Sequence, residues 1–165
     1  MGEGERIPVA GRFDDPTVQV MPKPTRTLDV RGVRFEFPRE FVFEAEVGDS
    51  GLAVWTLEGN DVTVMLYAFS VPISAEKLVK EMSVQFGETP VRKTGIKTRR
   101  GVLPGVRIDS EVAGQRLRTE GFDLPAPKGE GRVLIVQDVP TDDGRPSADR
   151  DRVGRLLATT LRTDF

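Results

Sequence analysis

The arm VTVMLYAFSV, from Val62 to Val71, constrains the fold more than any other stretch, because it is apolar on both sides: Val62, Val64, Leu66 and Ala68 alternate with Met65, Tyr67 and Phe69. A strand with two dry faces belongs inside a sheet that is covered on each side. A second such strand is expected at the uninterrupted Val133-Leu134-Ile135-Val136. The first is the return arm of a hairpin. Its partner runs from Gly51 to Glu58, and the turn is Gly59-Asn60-Asp61, residue types that tolerate positive φ.

Two amphipathic segments are the natural covers. After Pro72, Ser74 is placed to cap a helix in which Ala75, Leu78, Val79, Met82 and Phe86 recur at i, i+3, i+4, i+7 and i+11, with Gly87 and Pro90 as its stop. A second helix is expected after Pro146-Ser147, with Val153, Leu156, Leu157 and Leu161 on one stripe. Upstream, VRFEFPREFVFEAEV reads as two strands with one wet face: Phe35 and Phe37, then Phe41, Phe43, Ala45 and Val47, point inward, with Arg34, Glu36, Glu44 and Glu46 outward. Between Val112 and Leu117, Ala113-Gly114-Gln115 reads as a turn or bulge. The resulting order, β-β-β-β-α-β-β-β-β-α, has mostly hairpin connections and predicts an α+β fold, an antiparallel sheet of about six to eight strands covered by two main helices. Residues 1–26, with Pro8, Pro16, Pro22 and Pro24 among glycines and charges, read as an extended leader, and 27–165 as a single domain.

From Leu28 to Phe165, the Phe35-x-Phe37-Pro38-x-x-Phe41 opening, the Ser-capped helix after the fourth strand, the Gly-rich middle and the terminal LLATTLR resemble the PsbP-like fold. That α/β/α sandwich is shared by the photosystem II extrinsic subunit, a Ran-binding nuclear import factor of yeast, and bacterial lipoproteins and secretion-effector chaperones. The family often has Trp where Phe41 stands here. The metal-related and docking residues of the photosystem subunit have no counterpart in this chain, so no functional residue carries over. The resemblance implies a non-catalytic binding role with a partner that the fold does not specify.

Composition closes off much chemistry. The 165 residues include no cysteine and no histidine, which excludes thiolate nucleophiles, disulfides, Cys- or His-ligated metal and the Ser-His-Asp triad. Ser74-x-x-Lys77 and Lys93-Thr94-Gly95 match two of the three signatures of penicillin-binding proteins and serine β-lactamases. Lys77, however, falls roughly 150° from the centre of the helix's apolar arc and so faces water, where a lysine stays protonated. The third signature, Ser-x-Asn, is missing, since the only asparagine is Asn60 and Glu58 stands two before it. No catalytic residue is expected, and a Ser74/Lys77 acyl-transfer enzyme is the least favoured reading. Asp138, Asp142, Asp143, Asp149 and Asp151 lack the alternating spacing and terminal Glu of an EF-hand loop, so neither metal nor cofactor is expected.

The strongest binding lead is charge. The whole chain carries −2, yet from Arg92 to Arg118 eight basic residues face only Asp109 and Glu111, a local charge of +6. The candidate basic patch is Arg92, Lys93, Lys97, Arg99, Arg100 and Arg107. Only Phe122 lies near it as a base-stacking aromatic, which disfavours nucleic acid and leaves another protein as the expected partner, with anionic lipid or an acidic surface next. The function expected is a non-enzymatic binding module. The alternative is an intracellular adaptor or secretion-effector chaperone that holds an apolar or acidic protein segment. No apolar run reaches the roughly 18 residues of a membrane span. The expected compartment is extracytoplasmic if a leader preceded Met1 and cytoplasmic otherwise.

Overall fold

The computed structural model describes residues 24–84 and 90–164. Most of the expected leader, and the expected end of the first helix at Phe86 and Gly87, lie outside them. In chain order the elements are β1 (Thr25–Val30), β2 (Val33–Pro38), β3 (Val42–Val47), β4 (Leu52–Glu58), β5 (Val62–Phe69), α1 (Ala75–Ser83), β6 (Arg92–Thr98), β7 (Gly101–Val112), β8 (Gln115–Leu124), β9 (Gly131–Asp138), α2 (Ala148–Thr160) and β10 (Arg162–Thr163). Seven of the strands form one sheet in the order β3-β4-β5-β9-β8-β7-β6, with every neighbouring pair antiparallel. The fold is α+β, as the element pattern predicts. β9 is the middle strand, and its Val133, Leu134, Ile135 and Val136 are wholly buried.

Local chemistry explains most boundaries. Ser74 and Ser147 cap the two helices, each hydroxyl accepting the backbone N–H three residues on, from Lys77 and from Arg150. Leu161 lies just beyond the last residue of α2, where the chain turns extended. The β4–β5 connection closes through Gly59 N–H to Val62 O at 2.8 Å. The β7–β8 hairpin turns on Ala113 (φ 53°) and Gly114 (φ 80°), the two positive φ values that a tight right-twisted turn requires.

Because side chains alternate along a strand, the seven-stranded sheet presents two distinct apolar faces. On one, Trp55, Leu57, Val64, Leu66, Phe122, Leu134 and Val136 pack with Val153 and Leu157 of α2 and with Leu28, Val33, Phe35 and Phe37 of β1 and β2. On the other, Ile108, Val133 and Ile135 pack with Ala75, Leu78 and Val79 of α1. The two helices therefore cover opposite faces. Close approach of α1 is permitted by Gly121: a Cβ there would stand 2.6 Å from Val79 Cγ2.

Three features depart from the sequence expectation. First, five strands rather than four precede α1: the unannounced β1 pairs with β2, and the two do not join the large sheet but form with β10 a separate three-stranded sheet, order β1-β2-β10. The alternation of buried Val33, Phe35 and Phe37 with outward Arg34 and Glu36 makes this hairpin a cover for the large sheet. Second, the two-residue β10 carries no periodicity that could announce it. Its ladder is prolonged by Glu36 N–H, which donates to Thr160 Oγ1 at 2.9 Å at the end of α2. Third, the expected inward set Phe43, Ala45 and Val47 is exposed, with Phe43 at 39 % and Val47 at 65 %. β3 is the outermost strand, so packing reaches only Phe41 before it. Its Glu44 and Glu46 give that open edge charge, which discourages strand addition.

Candidate functional site

The six candidate cations are spread over three places. β6 runs unbroken through Gly95, so Lys93 and Lys97 share a face, opposite Val106 and Val102 of β7 and on the α1 side of the sheet. Lys93 lines a cleft against α1 with Ser74, Lys77 and Asp123. Arg92 and Arg107 are cross-strand partners on the α2 side. Arg107 is bound into an ion-pair chain, 3.2 Å from Asp109, which in turn lies 2.8 Å from Arg118. Arg99 and Arg100 sit past the end of β6, in the turn to β7. Sequence proximity alone made these six look like one patch.

A different set of cations converges. Arg34 on β2 and Arg162 on β10 are directly opposed across their ladder. Cross-strand partners point to the same side, and like charges so placed destabilise a sheet by a few tenths to about 1 kcal/mol. Arg99 reaches the same spot from the β6–β7 turn: Arg34, Arg99 and Arg162 line one cleft of about 310 Å³, together with Thr27, Glu36 and the two threonines that end α2. Arg162 also borders a second cleft of about 480 Å³, lined by Arg100 together with Leu103, Asp123, Leu124, Pro125 and Leu161. None of Arg34, Arg99, Arg100 and Arg162 forms an ion pair with a carboxylate among the described residues. Two of the other exposed arginines are engaged by rings: Arg26 lies over Phe37 and Arg31 over Trp55, at 5.3 and 5.6 Å from the ring centroids. The corner is thus a concentration of uncompensated guanidinium, and guanidinium forks suit carboxylate or phosphate oxygens. Arg34 reads in sequence as the wet side of a strand and Arg162 as a lone charge after LLATT. Nothing local links them.

The remaining candidates take up structural positions. Ser74 Oγ accepts from the Lys77 backbone N–H at 3.1 Å, while the Lys77 side chain is exposed. Asp123 Oδ1 accepts from Ala75 N–H at 2.7 Å, a second anchor for the start of α1. Asp138 holds Ser147, and Asp143 pairs with Arg145 at 2.7 Å. Among the described residues no three carboxylates converge as a metal-holding group. On the α1 side of the sheet, Met65, Tyr67 and Phe69 are half-buried beside that helix's cluster, and the Tyr67 and Phe69 rings stack at 5.9 Å. No helix is long and apolar enough to cross a membrane among the described residues.

One polar cluster ties layers together and carries a pH signature. Arg152 of α2 bridges Glu40, ahead of β3, and Asp149, the latter at 2.9 Å. Asp149 Oδ2 also accepts from the backbone N–H of Asn60 and Asp61 in the β4–β5 turn, at 3.1 and 3.4 Å. The hydrogen bond from Arg152 holds the Glu40 carboxyl below its ordinary range. At Asp149 burial pushes upward, but Arg152 and the two amides outweigh it, and its pKa is also lowered. Groups with depressed folded-state pKa values add stability above their unfolded pKa of about 4 and lose it as pH falls through the folded value. Arg152→Ala is therefore expected to lower the thermal midpoint at pH 7, with the gap from wild type closing below about pH 4. A gap that is undiminished at pH 2.5 would contradict the coupling.

Comparison with protein-family models and with curated proteins found no match.

Proposed function

We propose that the protein is a non-enzymatic binding module that docks an acidic segment of a partner protein at its arginine corner. The observation that carries this reading is the opposed pair Arg34 and Arg162, joined by Arg99 and without a carboxylate partner among the described residues. An acidic segment would relieve the like-charge cost and form bidentate contacts that a lysine surface does not supply. A chain of net charge −2 that gathers positive charge at one corner is also suited to steering such a partner into register. The PsbP-like resemblance supports the same reading, since members of that family bind unrelated partners, and helices on opposite faces of an antiparallel sheet are compatible with it. In this reading Ser74 is a helix cap and Lys77 a surface charge.

The test is fluorescence anisotropy with a labelled glutamate-rich peptide. Wild type is expected to bind it with an affinity that falls as salt rises, and Arg34→Glu/Arg162→Glu to bind at least about tenfold more weakly. Lys97→Glu, on the opposite side of the sheet, serves as the control and should bind as wild type does. Equal binding by wild type and the double variant, with unchanged melting, would sink the proposal.

A further inference from the structure

We propose that the cleft lined by Arg34, Arg99 and Arg162 takes a phosphate monoester dianion, the side-chain phosphate of a phosphorylated serine or threonine in the partner's acidic segment. This rests on the docking reading above and adds the chemical class of the group that fills its centre.

Charge decides between a carboxylate and a phosphate. The three arginines bring +3, and Glu36, a lining residue of the same cleft, leaves +2. A single carboxylate cancels half of that, whereas a phosphate monoester carries about −1.5 to −2 near neutral pH. Glu36 does not cancel an arginine through an ion pair; its Oε1 accepts instead from the Thr25 hydroxyl at 2.8 Å. The three guanidiniums arrive from three separate elements, β2, the β6–β7 turn and β10, so they can approach different oxygens of one tetrahedral group. Hydroxyl chemistry points the same way. Thr159 and Thr160 spend their hydroxyls on backbone carbonyls of α2, which leaves Thr27 as the lining hydroxyl with no hydrogen bond to the described residues.

Size and surroundings favour a phosphate presented on a polypeptide. A volume of about 310 Å³ is at the lower end for small-molecule sites and suits a side chain better than a nucleotide. The adjoining cleft shares Arg162 and has Leu103, Leu124, Pro125 and Leu161 in its lining, apolar surface on which residues flanking the phosphate can lie. Among the described residues the one aromatic in either lining is Phe35, which is buried and offers no platform for a base.

The experiment compares three peptides of one acidic sequence with serine, phosphoserine or glutamate at the central position, titrated calorimetrically, with inorganic phosphate as competitor. The phosphoserine peptide is expected to bind at least about tenfold tighter than the other two. That advantage should disappear in Arg162→Ala, persist in part in Arg162→Lys, which keeps the charge but not the fork, and be untouched in Lys97→Ala. Matched melting curves show that each variant is folded. Equal affinity for all three peptides overturns the phosphate proposal and leaves acidic docking standing, whereas no binding of any peptide overturns both. Inorganic phosphate binding without a phosphopeptide advantage would make this a free-oxyanion site. Binding to phosphatidylcholine vesicles containing phosphoinositide, but to no peptide, would move the site to a membrane. Either result overturns the proposal.

Discussion

Phe122→Ala should destabilise the protein by about 3–5 kcal/mol, read as a lowered urea midpoint with an unchanged denaturant slope. Phe122 is 0 % exposed and sits on β8 between Gly105 of β7 and Leu134 of β9. The ring lies directly over Gly105: a Cβ added there would be 2.5 Å from Phe122 Cδ1 and 2.7 Å from the Gly121 carbonyl oxygen. The neighbour on that side is therefore backbone, which cannot swing in to refill the space as a long side chain would. Removing the ring leaves a cavity in the face that also holds α2 and the small sheet, so both covers lose contacts together. A loss under about 1 kcal/mol would mean that this face repacks freely and that the ring is not its centre.

Asp138→Ala is the second large effect, about 3 kcal/mol, because it removes a buried acceptor of two hydrogen bonds and leaves their donors unmet. Asp138 is 0 % exposed, its Oδ1 accepting from the Ser147 hydroxyl at 2.6 Å and its Oδ2 from the Ser147 N–H at 3.1 Å. Ser147 Oγ in turn accepts from Arg150 N–H at 3.1 Å, so one carboxylate on the central strand fixes the cap of α2. The alanine variant leaves both Ser147 donors buried and unmet. Amide exchange should report it at the N-terminal turn of α2, where Arg150 and Asp151 lose protection before the sheet does. Uniform loss of protection across both elements would argue against a local anchor.

These effects follow from features that differ in how far the sequence discloses them. Phe122 is a lone aromatic in RTEGFDL, a segment with no clean alternation, and its burial depends on β7 and β9 closing on either side. Asp138 looks like one member of an acidic stretch that continues through Asp142, Asp143, Asp149 and Asp151. It becomes a helix anchor only because β9 ends where α2 begins its first turn. The binding corner is the extreme case. Of the six expected cations only Arg99 and Arg100 reach it, and the two that define it, Arg34 and Arg162, stand near opposite ends of the chain.

What the residues determine by themselves is what acts over a few positions. Period-two patterns mark β2 to β5, an unbroken apolar run marks β9 and a 3.6 period marks both helices, serines at 74 and 147 cap those helices, and Ala113-Gly114 turns a hairpin, because each depends on neighbours within one turn or one strand. The absence of histidine and cysteine likewise restricts chemistry whatever the fold. Tertiary structure alone decides that β1 and β2 leave the large sheet, that β3 stays exposed at its edge, and that Lys93 and Lys97 face away from Arg92 and Arg107. It also brings Arg34 against Arg162. Backbone pairing between distant strands is set by which apolar faces can be covered, and the charges on the outer side are carried along with it.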